Sequence, residues 1–71
     1  LHKNHQGVEW FDANGQLLGE AGNYMPNMPF VANVRTYQQK NIRSITLPIY
    51  LPISVIKKEL QGYVRVSEST E

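Results

Sequence analysis

The sequence predicts an α+β, mainly β module built on a small antiparallel sheet of four to five strands, and three observations predict it. In residues 41–51, Ile45, Leu47, Ile49 and Leu51 alternate with Ser44, Thr46, Pro48 and Tyr50, the two-residue period of a strand with one aliphatic face. In residues 62–67, Val64 and Val66 alternate with Tyr63, Arg65 and Ser67. Near the start, two runs of strand formers flank the tetrapeptide Asp12-Ala13-Asn14-Gly15, a hairpin signal. The aliphatic side of 41–51 is the expected floor of the core, and Val64 and Val66 are expected to face it. Pro48 has no N–H to give a neighbour, so it belongs near a bulge, a strand end or a free edge.

Seventy-one residues make a single domain, 1–71. Without a disulfide or a metal, a chain this small is marginal alone, and pairing with a second copy would help it. There is no cysteine, so redox compartment is not readable. Seven basic against six acidic residues leave a net charge of +1, which argues against a nucleic-acid surface with its clustered Lys and Arg. No apolar run approaches the ~20 residues of a membrane span, and no signal peptide is visible. The chain begins at Leu1 and ends in a polar Ser67-Glu68-Ser69-Thr70-Glu71 tail. An excised piece of a longer protein is the expectation.

Taken in order, residues 1–6 are polar and carry His2 and His5, three apart, a spacing that shares a helix face. Two histidines without a third ligand do not complete a zinc site, and a frayed end or a last helical turn is the plainer reading. No metal is expected. Residues 8–11 (Val-Glu-Trp-Phe) and 16–20 (Gln-Leu-Leu-Gly-Glu) form the two arms of the hairpin. Asp12 suits the first position of a type I turn, and Gly15 supplies the left-handed residue that restores register. Asp-x-Asn-Gly also opens a calcium loop, but such a loop needs a ligand at its fifth position and a Glu at its twelfth. Gln16 and Asn23 stand there, and the calcium reading fails.

Residues 22–30 contain two Met-Pro steps, which deny helix to each Met and remove two backbone donors. The irregular loop is unusually apolar, with Tyr24, Met25, Met28 and Phe30. It reads as a flap over one face of the sheet, or as a ligand-contacting lid. Residues 31–40 fit a weak helical stripe or a strand at 34–37; the strand is preferred, with a second hairpin through Gln39-Lys40-Asn41. In the connector 52–60, Ser54 caps one helical turn or the segment extends the flanking strands. Residues 61–69 close the domain with a strand antiparallel to 41–51.

Catalytic signatures are absent. There is no Gly-rich phosphate loop, no Gly-x-Ser-x-Gly and no Cys nucleophile. The carboxylates are scattered, and enzymatic activity or a bound cofactor is not expected. Arg43, Arg65 and Tyr24 are the candidate ligand-binding residues, since each arginine can hold an anion bidentately. The plainer reading makes the arginines strand residues with their head groups in water.

Three stretches together resemble a known family. Residues 8–19 (VEWFDANGQLLG) are similar to the strand-turn-strand that opens many bacterial extracytoplasmic sensor domains. Arg43-Ser44-Ile45-Thr46-Leu47-Pro48-Ile49-Tyr50 resembles their later R-x-x-T-L-P-hydrophobic strand, and Gly62-Tyr63-Val64-Arg65-Val66-Ser67-Glu68-Ser69 looks like the segment ending the module before a second membrane helix. The family is the membrane-bound two-component sensor histidine kinases, in wording closest to cyanobacterial members. The resemblance implies a PAS-like or Cache-like fold lacking an upstream N-terminal helix, on the extracytoplasmic (periplasmic) side of the cytoplasmic membrane. It implies a stimulus that is a small molecule, an ion or a protein, and a homodimer in the intact protein. The kinase core, the HAMP linker and the phosphoacceptor would lie outside these residues; neither His2 nor His5 has the phosphoacceptor's context. The alternative is a small protein-interaction or dimerisation module with no ligand.

Overall fold

The structure, a computed structural model, describes residues 5–70. Five strands follow one another: β1 (Gln6–Asp12), β2 (Leu17–Gly22), β3 (Thr36–Gln39), β4 (Ile42–Pro52) and β5 (Lys58–Ser69). They make one antiparallel sheet in the order β2-β1-β5-β4-β3. The α+β expectation is corrected to all-β, since no described residue is helical. The residues from which a helical turn was conceivable instead bend at 54–56 between β4 and β5. There Ile53 N–H and Ser54 N–H donate to the Lys57 carbonyl, and the flanking strands simply extend.

The first hairpin forms as its turn chemistry demands. Gly15 has φ of +86°, a region that β-branched residues resist. The Asp12 carboxylate accepts from the N–H groups of Asn14 and Gln16, each at 2.9 Å. Opposite Trp10 and Phe11 the register shifts, so β2 carries one residue too many and twists against β1. The second hairpin is tight, through Lys40 and Asn41; β3 begins at Thr36, two residues later than the sequence suggested. Pro48 lies past the end of the β3 ladder, which stops at Ile45, and just before the register shift at Ile49/Tyr50. Its missing donor therefore faces a free edge. Beyond that shift, residues 50–60 leave the five-stranded sheet as a two-stranded arm.

Strand β5 holds the middle of the sheet, paired on one side with β1 and on the other with β4. The largest correction concerns which face is buried. Ile45, Leu47, Ile49 and Leu51 remain 40–52% exposed, and Val66 is 37% exposed with Val64 only half-buried. The buried residues lie on the opposite face: Glu9, Phe11, Ser44, Thr46, Arg65 and Ser67. Alternation tells which side chains share a face, not which face is covered. The cover is the 23–35 segment, which crosses only the mixed face on its way from β2 to β3.

Candidate functional site

The covered face is built in rows across the sheet. One row runs Glu20, Glu9, Arg65, Thr46, and the next runs Gly7, Ser67, Ser44, Tyr37. Small residues dominate the second row, and the loop comes closest to the sheet there. A Cβ on Gly7 would lie 1.7 Å from the Tyr24 carbonyl oxygen, so only glycine admits the loop at this height. The loop is tied down at the same place: Asn23 N–H and Tyr24 N–H donate to the Gln6 carbonyl at 2.9 and 3.2 Å. Asn23 Oδ1 accepts from Gln6 N–H at 3.0 Å.

Arg65 fastens the middle of the loop. Its Nε–H donates to Glu9 Oε1 at 2.9 Å, and both groups are nearly free of solvent. Nη1 donates to the Pro29 carbonyl and Nη2 to the Met28 carbonyl, each at 3.2 Å. Met28 stands before proline and is biased to an extended backbone, and the 28–29 segment lies outside any strand, so both carbonyls are free to accept from Arg65. The guanidinium carbon also lies 5.2 Å from the centre of the Phe11 ring. Phe11 stacks on Phe30 of the loop at 4.2 Å, and Phe30 tilts against Tyr63 at 5.0 Å. An aromatic trio thus closes the far end of the flap. Arg35 then returns to the sheet, its carbonyl accepting from Thr46 N–H at 2.6 Å.

Between these fastenings a cleft of about 300 Å³ remains, at the lower end of the sizes that hold small molecules. Its wall is Met28, Pro29, Val31 and Val34; its floor is Tyr37, Ser44 and Arg65. The site offers apolar contact on one side and two hydroxyls with a cationic edge on the other. Ser67, next to Ser44 in the same row, is 1% exposed and its Oγ has no hydrogen-bond partner. An orphaned buried hydroxyl is costly.

The three candidate ligand residues are not brought together. Arg65 borders the cleft, but its head group is buried rather than in water, a correction of the plainer reading; Glu9 and the loop carbonyls replace its hydration. Arg43 does keep its head in water and pairs with Glu68 at 3.5 Å on the other face. Tyr24 lies at the root of the loop, over Gly7. The sequence reading missed Glu9, Ser44 and Tyr37. The available signal was an acid on the opening strand and a base on the closing strand, each flanked by apolar residues. His5 is exposed and its carbonyl accepts from Ser69 N–H, while His2 lies outside the described residues. Among the described residues no group of three or more His, Cys, Asp or Glu side chains gathers where it could hold a metal ion. No protein-family model, curated protein or solved structure matches this chain significantly.

Proposed function

We propose that the chain is a PAS-like sensing module of a membrane-bound two-component histidine kinase, with the stimulus read at the cleft beneath the Met-Pro loop. The single observation that carries this reading is the Arg65 clasp. One side chain on the middle strand holds two carbonyls of the flap that roofs the cleft. A small molecule entering between Met28, Val34 and Ser44 would lift or reseat that flap, and Arg65 would pass the change to β5. Strand β5 is also the strand from which the chain leaves the sheet, so a shift there reaches whatever follows. The five-stranded antiparallel sheet, closed on one face by its long β2–β3 crossover, supports the PAS-like part of the reading.

The ligand class that suits the cleft is a small amphipathic molecule, apolar toward Met28 and Val31 and hydrogen-bonding toward Ser44 and Tyr37. The alternative, a contact or dimerisation module with no ligand, draws its support from the uncovered aliphatic face. Two measurements separate them. The coding sequence on either side of this chain should specify membrane-spanning segments and a kinase core; a stop codon or another soluble domain after Glu71 favours the alternative. Amide chemical shifts recorded during a small-molecule screen should move at Met28, Val34, Tyr37 and Ser44, and their indifference to every compound counts against a sensor cleft.

A further inference from the structure

The β4–β5 arm ends in a turn whose residues neither turn chemistry nor packing explains. Ser54 and Lys57 close it, the Lys57 N–H donating to the Ser54 carbonyl at 3.4 Å, and Val55 and Ile56 fill its two central positions. Such positions favour Gly, Pro, Asn, Asp and Ser, whose conformations suit a tight reversal. Two β-branched side chains belong on a strand instead. Nor do they pack. Both are fully exposed, and no other large apolar side chain among the described residues is as bare. Leu51 and Ile53, also exposed, continue the apolar end of the arm behind them. The arm holds its tip clear of the sheet, since β5 begins at Lys58, well before its first partner in β1 at Gly62.

We propose that this tip docks on a phospholipid bilayer carrying anionic headgroups, with Val55 and Ile56 entering the boundary between headgroups and acyl chains. A bilayer accepts an apolar tip without a shape-matched pocket, but it offers no partners to the backbone groups that enter with it. The turn supplies its own. Ile53 N–H and Ser54 N–H donate to the Lys57 carbonyl at 2.8 and 3.1 Å, the Lys57 N–H is paired with Ser54, and Pro52 has no N–H to satisfy. A protein pocket could have provided such bonds itself, so a turn that closes its own favours lipid. Charge points the same way. Residues 50–58 contain two lysines and no acid. Lys58 Nζ stands 4.4 Å from the centre of the Tyr50 ring, a cation and an aromatic one step behind the tip, at the level where headgroups favour both. Gln6 pairs with Glu68 near the other end of β5, so the chain enters and leaves the sheet far from the tip. The contact is therefore separate from any membrane segment that continues the chain. No residue of the arm lines the cleft beneath the flap, and the docking does not rest on the sensor reading.

Vesicles of phosphatidylcholine mixed with phosphatidylglycerol should float the 71-residue chain up a density gradient. Vesicles of phosphatidylcholine alone should hold it at least about fivefold more weakly. Val55→Ser combined with Ile56→Asn puts turn formers where nothing is packed, so the thermal midpoint should stay where it is. Affinity for the mixed vesicles should nevertheless fall about a hundredfold. Lys58→Gln should lower it about fivefold, a loss that disappears on the neutral vesicles. The chain has no cysteine, so a polarity-sensitive dye on Val55→Cys reports the tip alone. Its emission should shift to the blue on the mixed vesicles, while the same dye on Asn41→Cys, in the β3–β4 turn, should not shift. A tip dye that stays in water beside both kinds of vesicle overturns the proposal and leaves a protein pocket as the tip's occupant. Binding that survives the double substitution unchanged overturns it too, as does an equal blue shift at residues 55 and 41.

Discussion

Arg65 Nε lies 2.9 Å from Glu9 Oε1 across the β1–β5 ladder, with the two residues 4% and 7% exposed. Glu9 and Arg65 are also directly opposite in register, so the backbone sets the two side chains next to each other. The remaining donors of the guanidinium go to the Met28 and Pro29 carbonyls. One ion pair therefore does two jobs, neutralising a charge in the covered face and holding the flap.

Removing one partner leaves the other charged and dry, which typically costs about 3–5 kcal/mol. Arg65→Met is expected to lose that much, and urea titration should show the transition moved to much lower denaturant. Glu9→Leu combined with Arg65→Met should recover a good part of it, because a buried pair replaced by apolar groups is often neutral. Equal stability of Arg65→Met and the native chain would mean the clasp does not form.

The Asp12–Gly15 turn is the next weak point. Gly15→Val must adopt φ of +86° with a branched side chain, and its Cβ would stand 3.0 Å from the Phe30 ring. A loss of more than about 1 kcal/mol is expected, with the Phe11–Phe30 stack loosened at the same time. A thermal midpoint unchanged by the substitution removes the turn from this account.

Ser67 works the other way. Its Oγ is buried without a partner, so Ser67→Ala should be neutral or stabilise the chain by up to about 1 kcal/mol. Chemical denaturation checks it. A clear destabilisation would place a hydrogen bond on that hydroxyl after all.

Much of the fold could be read from alternation and turn residues. The Asp12–Gly15 hairpin, the strand through Ile45 to Leu51, its antiparallel neighbour at 62–67 and the edge position of Pro48 all follow from local chemistry. What could not be read was the covered face. Ile45, Leu47 and Ile49 are the most apolar row, and hydropathy alone assigns them to the core. The 23–35 segment decides otherwise, and its landing place depends on Gly7 admitting the Tyr24 carbonyl and on Arg65 finding Glu9. Both are contacts between residues far apart in sequence. A buried arginine also looks like an exposed one until its partner strand is known. Tyr37 and Ser44 meet in the β3–β4 hairpin that the sequence suggested, but their place in a cleft depends on the 23–35 segment covering their face, which local pattern does not show.

The clasp makes a prediction about transmission. Arg65→Lys keeps a positive charge beside Glu9 but gives up the planar fork that reaches two carbonyls at once. The flap should then move independently of β5, while the sheet ladder stays intact. Hydrogen exchange on this chain should show faster exchange across residues 23–31, with protection along β1, β5 and β4 unchanged. Under the proposed function, the same change in a full-length kinase would hold autophosphorylation in membrane vesicles at one level under conditions that switch the wild type. Lys57→Ala, on the exposed tip of the β4–β5 arm, should respond normally and serves as the control. A folded Arg65→Lys protein that still answers the stimulus would show that the flap and β5 are coupled by something other than this side chain, and the Phe30–Tyr63 contact is the next to test.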